Sequence, residues 1–424
     1  DGRLTRRMMG VLNARLPDAA LDEVEDPRRQ PSVTWSLDRI LATVVTAMAA
    51  GAKSLAHLEA LTTEISVTAR RFLGLPRRLP DTTVRDALVQ LGPNALRPAI
   101  YRQVNAARRR KALQPEGFPF GIISADGKFS TSRDWRSGYT QVYSREKSSR
   151  LGTVTSTLIS SAAKPCLDMH PIRAGWGEET VYYDAIEALL DAYGPDLFKL
   201  VVYDAGACSK QNACDTRALN LHYLFRVKAG KQPKLYRAMC ERLGERDLDT
   251  ADGSVQSRFL NGRERRSVYL SEDVVTWPER TQMKTVIRVL WERLDEDGNV
   301  VNNDNRYYVT SLEKEALTPQ QWIAIGRAHW AVENNCHHTF DAVLREDDRQ
   351  WITSNAQGTL VVMALRRIAY NILTLFRCVT LRSPKKRLTP WRDIQRWFNN
   401  ALLVVTEAQI SDIRTRKVAS ATRA

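Results

Sequence analysis

The sequence predicts a mixed α/β fold, and three patterns along the chain lead to that prediction. Apolar residues recur at helical spacing throughout residues 1–114. From residue 115, short β-branched runs alternate with helical stretches, which is typical of helices packed on a mostly buried sheet. Residues 229–312 are polar and rich in hairpin signals. We therefore predict an α/β core that is preceded by an all-helical N-terminal domain and interrupted by an inserted β domain.

The predicted N-terminal helices have recognisable starts and ends. Ser36 is a candidate N-cap of a helix that Gly51 ends, and Pro80 precedes another helix. The last helix ends in the basic run Arg108–Lys111. Small helical domains with basic edges commonly bind DNA. A plain helical cap or a dimerisation unit remains an alternative, because the sequence has no clear helix-turn-helix.

Two apolar strands of the predicted core each end at an aspartate. Residues 120–125 lead to Asp126, and residues 198–203 lead to Asp204. Catalytic and ligand-binding groups of open α/β sheets gather at such strand ends. Further strands are predicted at 151–159, 166–172 and 223–227, with helices at 180–193 and 209–219. The first part of the core therefore covers residues 115–228.

Two turn signals define hairpins within residues 229–312. Asn261-Gly262 separates one pair of β-branched or alternating runs, and Asp297-Gly298 separates a second pair. The α/β pattern resumes after this segment, so residues 313–380 are predicted to complete the core. Residues 381–424 form a basic, aromatic stretch, which we expect to be either a DNA-contacting tail or a solvated one.

A single helix is predicted from Pro319 through Leu344 and on towards Asp348. Thr318 is its candidate cap, and proline suits the first helical position. Its buried-looking stripe carries Glu333, and a carboxylate on such a face is costly unless a cation meets it. The other members of the stripe are Trp330, His337, Phe340 and Leu344.

Composition restricts the partners of the chain. The 424 residues carry a formal net charge of +15, which favours a polyanion, either nucleic acid or an anionic membrane. The longest apolar run, Leu41–Gly51, is too short to span a bilayer, and no signal peptide is visible after Asp1. Six cysteines without a C-x-x-C pair predict reduced thiols in a cytosolic protein rather than a structural zinc site.

Three carboxylates could share one site if the strands and the helix pack together. Asp126, Asp204 and Glu333 would then repel one another unless cations neutralise them. Hard divalent ions such as Mg²⁺ prefer oxygen ligands, and two such ions can activate a water or hydroxyl and stabilise the leaving oxygen of a phosphodiester. On a basic chain this combination indicates cutting or joining of nucleic acid. For each aspartate alone, a role as a strand-end turn cap remains open.

The motifs around these carboxylates resemble those of bacterial insertion-sequence DDE transposases with a β-strand insertion, most closely the H-repeat-associated type. The strongest motif is Arg327-x-His329-Trp330-x-Val332-Glu333-Asn334, followed by His337, Asp341, Glu346-Asp347 and Arg349. Asp126-Gly127-Lys128, Tyr203-Asp204-Ala205, the run 223–232 and the run 78–83 are similar to other family segments. The resemblance implies a ribonuclease-H-like core with Asp126, Asp204 and Glu333 as its metal-binding triad.

The chain also departs from the wider superfamily around Glu333. Gly326, His329 and Phe340 stand where relatives often keep Tyr, Arg and Lys. We expect DNA contacts from residues of the motif helix and from lysines near the strand ends. Asp341, Glu346 and Asp347 are expected on a solvated or Arg-paired face, and zinc binding by His329, Glu333 and His337 is a weaker alternative. The expected DNA contacts are Lys128, Lys228, Lys231, Arg327, His329, Trp330 and His337.

The function expected from the resemblance is that of a DNA transposase. It implies Mg²⁺-dependent cleavage at transposon ends and strand transfer into target DNA, with two ions that Mn²⁺ can replace. The expected partners are terminal inverted repeats, target DNA and, on DNA, a second copy of the chain. A cytoplasmic, nucleoid-associated location without membrane contact is expected. Two alternatives are a non-catalytic DNA-binding derivative and a nuclease without joining activity.

Overall fold

The structure is a computed structural model of the chain. The residues that it describes are 2–29, 33–143, 145, 148–244, 246, 248–259, 262–273, 277–328, 336–381, 383 and 385–421.

The N-terminal part of the chain is helical, as its apolar spacing predicts. Serine caps set several starts: Ser54 Oγ accepts from the His57 N–H at 3.0 Å, and Ser66 Oγ accepts from the Ala69 N–H at 3.0 Å. The helices are α1 (Gly2–Arg15), α2 (Leu37–Ala49), α3 (Leu55–Glu64), α4 (Val67–Phe72), α5 (Asp81–Leu88) and α6 (Arg97–Arg109).

Ten strands form one sheet in the order β2-β3-β1-β5-β6-β10-β9-β8-β7, with β4 paired to β3. Strand β1 runs antiparallel to β3 and parallel to β5, which is itself parallel to β6. The strands are β1 (Ile122–Thr131), β2 (Thr140–Tyr143), β3 (Ser148–Leu158), β4 (Cys166–Ile172), β5 (Leu200–Tyr203), β6 (His222–Val227), β7 (Gly253–Phe259), β8 (Gly262–Ser271), β9 (Thr285–Leu294) and β10 (Val300–Thr310).

The last four strands extend the core sheet. Both predicted hairpins form, with β7 antiparallel to β8 and β9 antiparallel to β10. Strand β10 pairs antiparallel with β6, so it covers what would otherwise be an open sheet edge. A helix that the hairpin signals did not predict, α9 (Pro233–Leu243), precedes them. Strand pairing is therefore continuous from the core into residues 229–312, and their status as a domain of their own stays a prediction.

A long buried helix connects the N-terminal helices to the sheet. This helix, α12 (Ala356–Leu375), contacts α2, α6 and β4. With the turn that follows, it is the one helix among the described residues long and apolar enough to cross a membrane, but its apolar window is wholly buried inside the protein. It therefore has the character of a core helix. The other helices after the first strands are α7 (Tyr182–Tyr193), α8 (Lys210–Ala218), α10 (Pro319–Ala328) and α11 (His338–Ala342).

The expectation of a solvated C-terminal tail is wrong for the part that the structure describes. Residues after 390 form α13 (Trp391–Val404) and α14 (Glu407–Ala421), both of which contact α1. Ile394, Phe398 and Leu402 are buried. Their spacing of four residues places them on one helix face, which explains the packing.

Asn371 on α12 supports a testable prediction about how this helix holds β4. Its Oδ1 accepts from the Cys166 N–H at 2.8 Å, and its Nδ2 donates to the Cys166 carbonyl at 2.9 Å. Asn371→Leu leaves both buried backbone groups unpaired, so we expect a loss of about 1–3 kcal/mol in the free energy of unfolding. Urea denaturation measures this loss. Asn400→Leu, on an exposed site of α13, is the control, and equal midpoints for the two variants would contradict the prediction.

Candidate active site

Strand pairing brings Asp126 and Asp204 together. The parallel pairing of β1 and β5 ends at Ala125 and Tyr203. Asp126 and Asp204 are the residues that directly follow this last pair. The two strands are therefore neighbours, which is one of the conditions under which the carboxylates could share a site. One detail is wrong: β1 does not end at Asp126 but continues to Thr131, because it stays paired with β3.

Cationic side chains surround Asp204. Lys228 Nζ lies 3.0 Å from Asp204 Oδ2, and Arg226 Nη1 lies 3.4 Å from Oδ1. Burial alone would raise the pKa of Asp204, but the Ala205 N–H and the Lys228 ammonium outweigh it and hold the pKa below its ordinary value. Asp204 is therefore an anion at neutral pH.

His337 lies close to Asp126. Its Nδ1 lies 3.4 Å from Asp126 Oδ2, and its side chain is largely buried just before α11. Its Nε2 is buried without a hydrogen-bond partner among the described residues. His337 therefore lies beside Asp126.

Glu178 is a third carboxylate at this place, and sequence reasoning missed it. It lies in the loop between β4 and α7. Burial is the main reason why the pKa of Glu178 is raised, and the negative charges of Asp126 and Asp204 raise it further. A side chain at Gly127 or at Gly206 would overlap the Glu178 carboxylate. Gly127, directly after Asp126, and Gly206, two residues after Asp204, were the sequence signal that could have indicated a group filling that space.

Lys128 does not have the environment of a DNA contact. Its side chain is 7% exposed, and its Nζ lies 2.6 Å from Asp341 Oδ1 and 3.2 Å from Asp347 Oδ1. The pKa of Asp341 is nevertheless raised, chiefly by burial. These ion pairs attach β1 to the segment around α11, so Lys128 has a structural role here.

Glu346 is fully buried and pairs with Arg367, which is also fully buried. The prediction that Glu346 pairs with an arginine is therefore confirmed. The alternative, that Glu346 faces solvent, is wrong. Phe340, which stands where relatives often keep Lys, is also buried, with the Arg367 guanidinium 4.0 Å from its ring centre.

The described residues include two parts of the predicted single helix, α10 and the segment from residue 336 onward. Its start agrees with the prediction, since Thr318 Oγ1 accepts from the Gln321 N–H at 3.3 Å. Its continuation towards Asp348 is wrong: α11 ends at Ala342, and Arg345 has a positive φ of 57°. His329, Trp330 and Glu333 lie outside the described residues.

Three other predicted contacts lie around the aspartate pair. Lys228 is half exposed beside Asp204, and Lys231 is exposed and close enough to lower the pKa of Glu178 by its charge. Arg327 lines a cavity of about 300 Å³ together with Tyr308. Burial raises the pKa of Tyr308 to about 12, with a small contribution from Asp204. Tyr308 pairs across the sheet with Arg226, whose Nη1 lies 3.4 Å from Asp204 Oδ1, so this part of the cavity lining is close to Asp204.

The donor set suits a hard cation only in part. Within the described ranges, no three His, Cys, Asp or Glu side chains converge closely enough to hold a metal ion. Asp126 and Asp204 do provide oxygen donors on adjacent strands, with Glu178 near both. Such an arrangement fits Mg²⁺ once a further carboxylate joins it. Fold and site together define a class: a basic α/β protein with an acidic site where its parallel strands end.

The family follows from comparison with known proteins. Residues 175–372 match a family model described as a transposase DDE domain, and residues 19–103 match a model described as DDE_Tnp_1-associated. Together these segments span most of the chain. The chain belongs to the DDE transposase family, and the resemblance to the H-repeat type is confirmed.

Two proteins of Escherichia coli (strain K12) are similar to part of the chain. They are the H repeat-associated putative transposase YhhI and the putative protein YbfL, each 30% identical over 185 residues. Each alignment covers 42% of this chain and 47% of the relative, so the chain spans about half the length of these relatives. A piggyBac transposase, solved as a synaptic complex with hairpin DNA, is 12% identical with a TM-score of 0.43. That alignment covers 98% of this chain and 81% of the other.

Proposed function

We propose that the chain is a DNA transposase that cleaves transposon ends and transfers the strands into target DNA. The observation that carries this proposal is the register of β1 and β5, which places Asp126 beside Asp204 in a member of the DDE family. The strand order β4-β3-β1-β5-β6 supports a ribonuclease-H-like core. Strands β7–β10 would be the insertion that precedes the segment of Glu333.

Asp126, Asp204 and Glu333 would hold divalent cations, Mg²⁺ in the first instance, with Mn²⁺ as a substitute. When bound, two such ions supply an activated water or hydroxyl and stabilise the leaving oxygen. Lys228 and Arg226 compensate the charge of Asp204 in the absence of a cation. With a cation present, their donors become available for phosphate oxygens, as do those of the exposed Lys231.

The proposed partners are double-stranded terminal repeats and target DNA. The net charge of +15 supports a polyanionic partner. A homodimer on DNA follows from the need to hold two transposon ends. A cytoplasmic, nucleoid-associated location follows from the same substrate. Arg327, His329, Trp330 and His337 remain proposed DNA contacts.

The direct test of the proposal is Glu333→Gln. We expect loss of Mg²⁺-dependent nicking of labelled terminal-repeat DNA, because one anionic ligand is removed while size is kept. DNA binding should survive and fall steeply as salt is added. Glu315→Gln, on an exposed turn before α10, is the matched control.

Three outcomes of this experiment would contradict part of the proposal. Cleavage by the Glu333→Gln variant at the wild-type rate would remove Glu333 from the site. Specific binding without cleavage by the unmutated protein would identify a non-catalytic DNA-binding derivative, and cleavage without joining would identify a nuclease.

A further inference from the structure

A second cavity lies where the N-terminal helices meet the core sheet, at the contact of α6 with β4. It has a volume of about 240 Å³. This volume is below the roughly 300–1,000 Å³ of pockets for drug-sized ligands, so the cavity fits one small group. Its lining is rich in aromatic and ionisable side chains, which are Arg97, Tyr139, His170, Arg173, Trp176 and Asp184.

Trp176 is exposed at this cavity, although hydrogen bonds hold its loop in place. It is 41% exposed, and the Arg173 guanidinium lies 5.8 Å from its ring centre. Gln141 Nε2 donates to the carbonyls of Arg173 at 2.7 Å and of Trp176 at 3.1 Å. Gln141 Oε1 accepts from the N–H of Gly175, whose left-handed φ of 81° lets the loop turn back onto this amide. An exposed aromatic ring on such a loop is a preorganised stacking surface.

The polar lining of the cavity presents both donors and acceptors. The Arg97 guanidinium donates to both oxygens of the buried Asp168, at 2.9 and 2.6 Å, and its Nη2 lies 3.1 Å from His170 Nδ1. Burial, followed by the charge of Arg97, lowers the pKa of His170 and keeps its ring neutral. Because a guanidinium can only donate, Nδ1 accepts and the ring hydrogen is on Nε2. Asp184 adds an acceptor, and this mixed set suits the edge of a nucleobase better than a phosphate alone.

The cavity lies close to the aspartate pair. Trp176 precedes Glu178 by two residues in the loop between β4 and α7. The Glu178 carboxylate lies against Gly127, the residue after Asp126. Strands on which chemistry is done are commonly unstacked, and every base offers a face to an aromatic ring. A DNA strand bound at the aspartates can therefore place a neighbouring base in the cavity.

We propose that the cavity beside Trp176 binds one unstacked nucleobase of a DNA strand. The base stacks on the Trp176 ring, and its edge meets the His170 Nε2–H and the Asp184 carboxylate. Arg173, which is exposed at the rim, contacts the adjoining phosphate. The inference rests on the proposed function, because it requires DNA as the substrate.

DNA without bases separates this proposal from ordinary electrostatic binding. Fluorescence anisotropy measures binding of the full chain to a labelled oligothymidylate and to an abasic oligomer of equal length, both in EDTA so that no cleavage occurs. The wild type should bind the oligothymidylate about tenfold more tightly or better, the scale of one base stacked on an aromatic ring. Trp176→Ala should remove most of this difference and leave binding of the abasic oligomer unchanged. Trp176→Phe, which keeps an aromatic face, should retain most of it.

Trp135→Ala is the matched control, because Trp135 is 47% exposed and is not among the described residues that line the cavity. It should bind both oligomers like the wild type. Equal losses in Trp135→Ala and Trp176→Ala would overturn the proposal, as would a loss in Trp176→Ala that is the same for both oligomers. The bonds from Gln141 reach backbone atoms of the loop, so Trp176→Ala leaves them in place.

Duplex binding separates failure of this inference from failure of the proposed function. Terminal-repeat duplex should bind the wild type and Trp176→Ala equally, because its bases are stacked and paired. Duplex binding together with wild-type affinity of Trp176→Ala for the oligothymidylate would overturn only the base site. No binding of either DNA by the wild type would overturn the proposed function and the base site together.

Discussion

Asp204→Asn is expected to reduce Mg²⁺-dependent strand cleavage by about 10²–10³-fold or more, the scale of losing one group that stabilises transition-state charge. The substitution keeps the size of the side chain and removes the anion that lies next to Asp126. DNA binding should be retained or tightened, because Lys228 and Arg226 lose their carboxylate partner and gain freedom to contact phosphates. Opposite effects on cleavage and binding would distinguish the loss of a ligand from misfolding.

The measurement is nicking of labelled terminal-repeat DNA beside a filter-binding titration at two salt concentrations. Asp191→Asn, on an exposed position of α7, is the matched control and should behave like the wild type in both assays. Cleavage by Asp204→Asn at the control rate would exclude Asp204 from the catalytic site. A fall in both cleavage and binding would instead indicate damage to the fold around β5.

The placement of the aspartate pair could be predicted from sequence, because it depends on short-range patterns. Each aspartate follows a short apolar strand, and the carboxyl ends of neighbouring parallel strands lie at one edge of a sheet. The structure adds that β1 continues past Asp126. That continuation was hidden because residues 126–131 are polar apart from Gly127 and Phe129, and their strand conformation is stabilised by pairing with β3.

Glu178 could not be predicted in the same way. It lies in a loop, and its position depends on how the loop between β4 and α7 packs over the glycines at 127 and 206. Local sequence patterns carry no information on such packing. The environment of Lys128 was missed for a related reason, since its partners Asp341 and Asp347 are more than two hundred residues away in the chain.

The C-terminal helices could have been predicted from sequence. Their apolar residues recur at helical spacing, but the basic composition of the stretch led to the expectation of a solvated tail. Ile394, Phe398 and Leu402 recur at helical spacing, but basic and tryptophan residues dominate the composition of the same stretch. The apolar face decides the structure because burying it against α1 removes it from water. Net charge, in contrast, says little about whether a segment folds.

A buried charge cluster on α12 and the segment after α11 is expected to be sensitive to substitution. Glu346, Arg366 and Arg367 are all fully buried, and Glu346 is the described anion between the two arginines. Arg366 Nη1 lies 3.9 Å from Glu346 Oε2. Burial lowers the pKa of Arg366 to about 10, whereas the Glu346 carboxylate outweighs burial at Arg367 and raises its pKa. The charge of Glu346 therefore offsets the cost of two buried guanidinium groups.

Glu346→Gln is expected to lower the free energy of unfolding by about 3–5 kcal/mol, the range for leaving a buried charge without its partner. The midpoint of guanidinium chloride denaturation measures this loss. Glu407→Gln is the matched control: its partner Arg71 lies 2.8 Å away, but both side chains are mostly exposed, so less than about 1 kcal/mol should be lost. Equal losses in the two variants would contradict the prediction, since only burial distinguishes the two pairs. Because the Glu346 N–H donates to the Phe340 carbonyl of α11 at 2.9 Å, the same variant should also disturb the contact of His337 with Asp126.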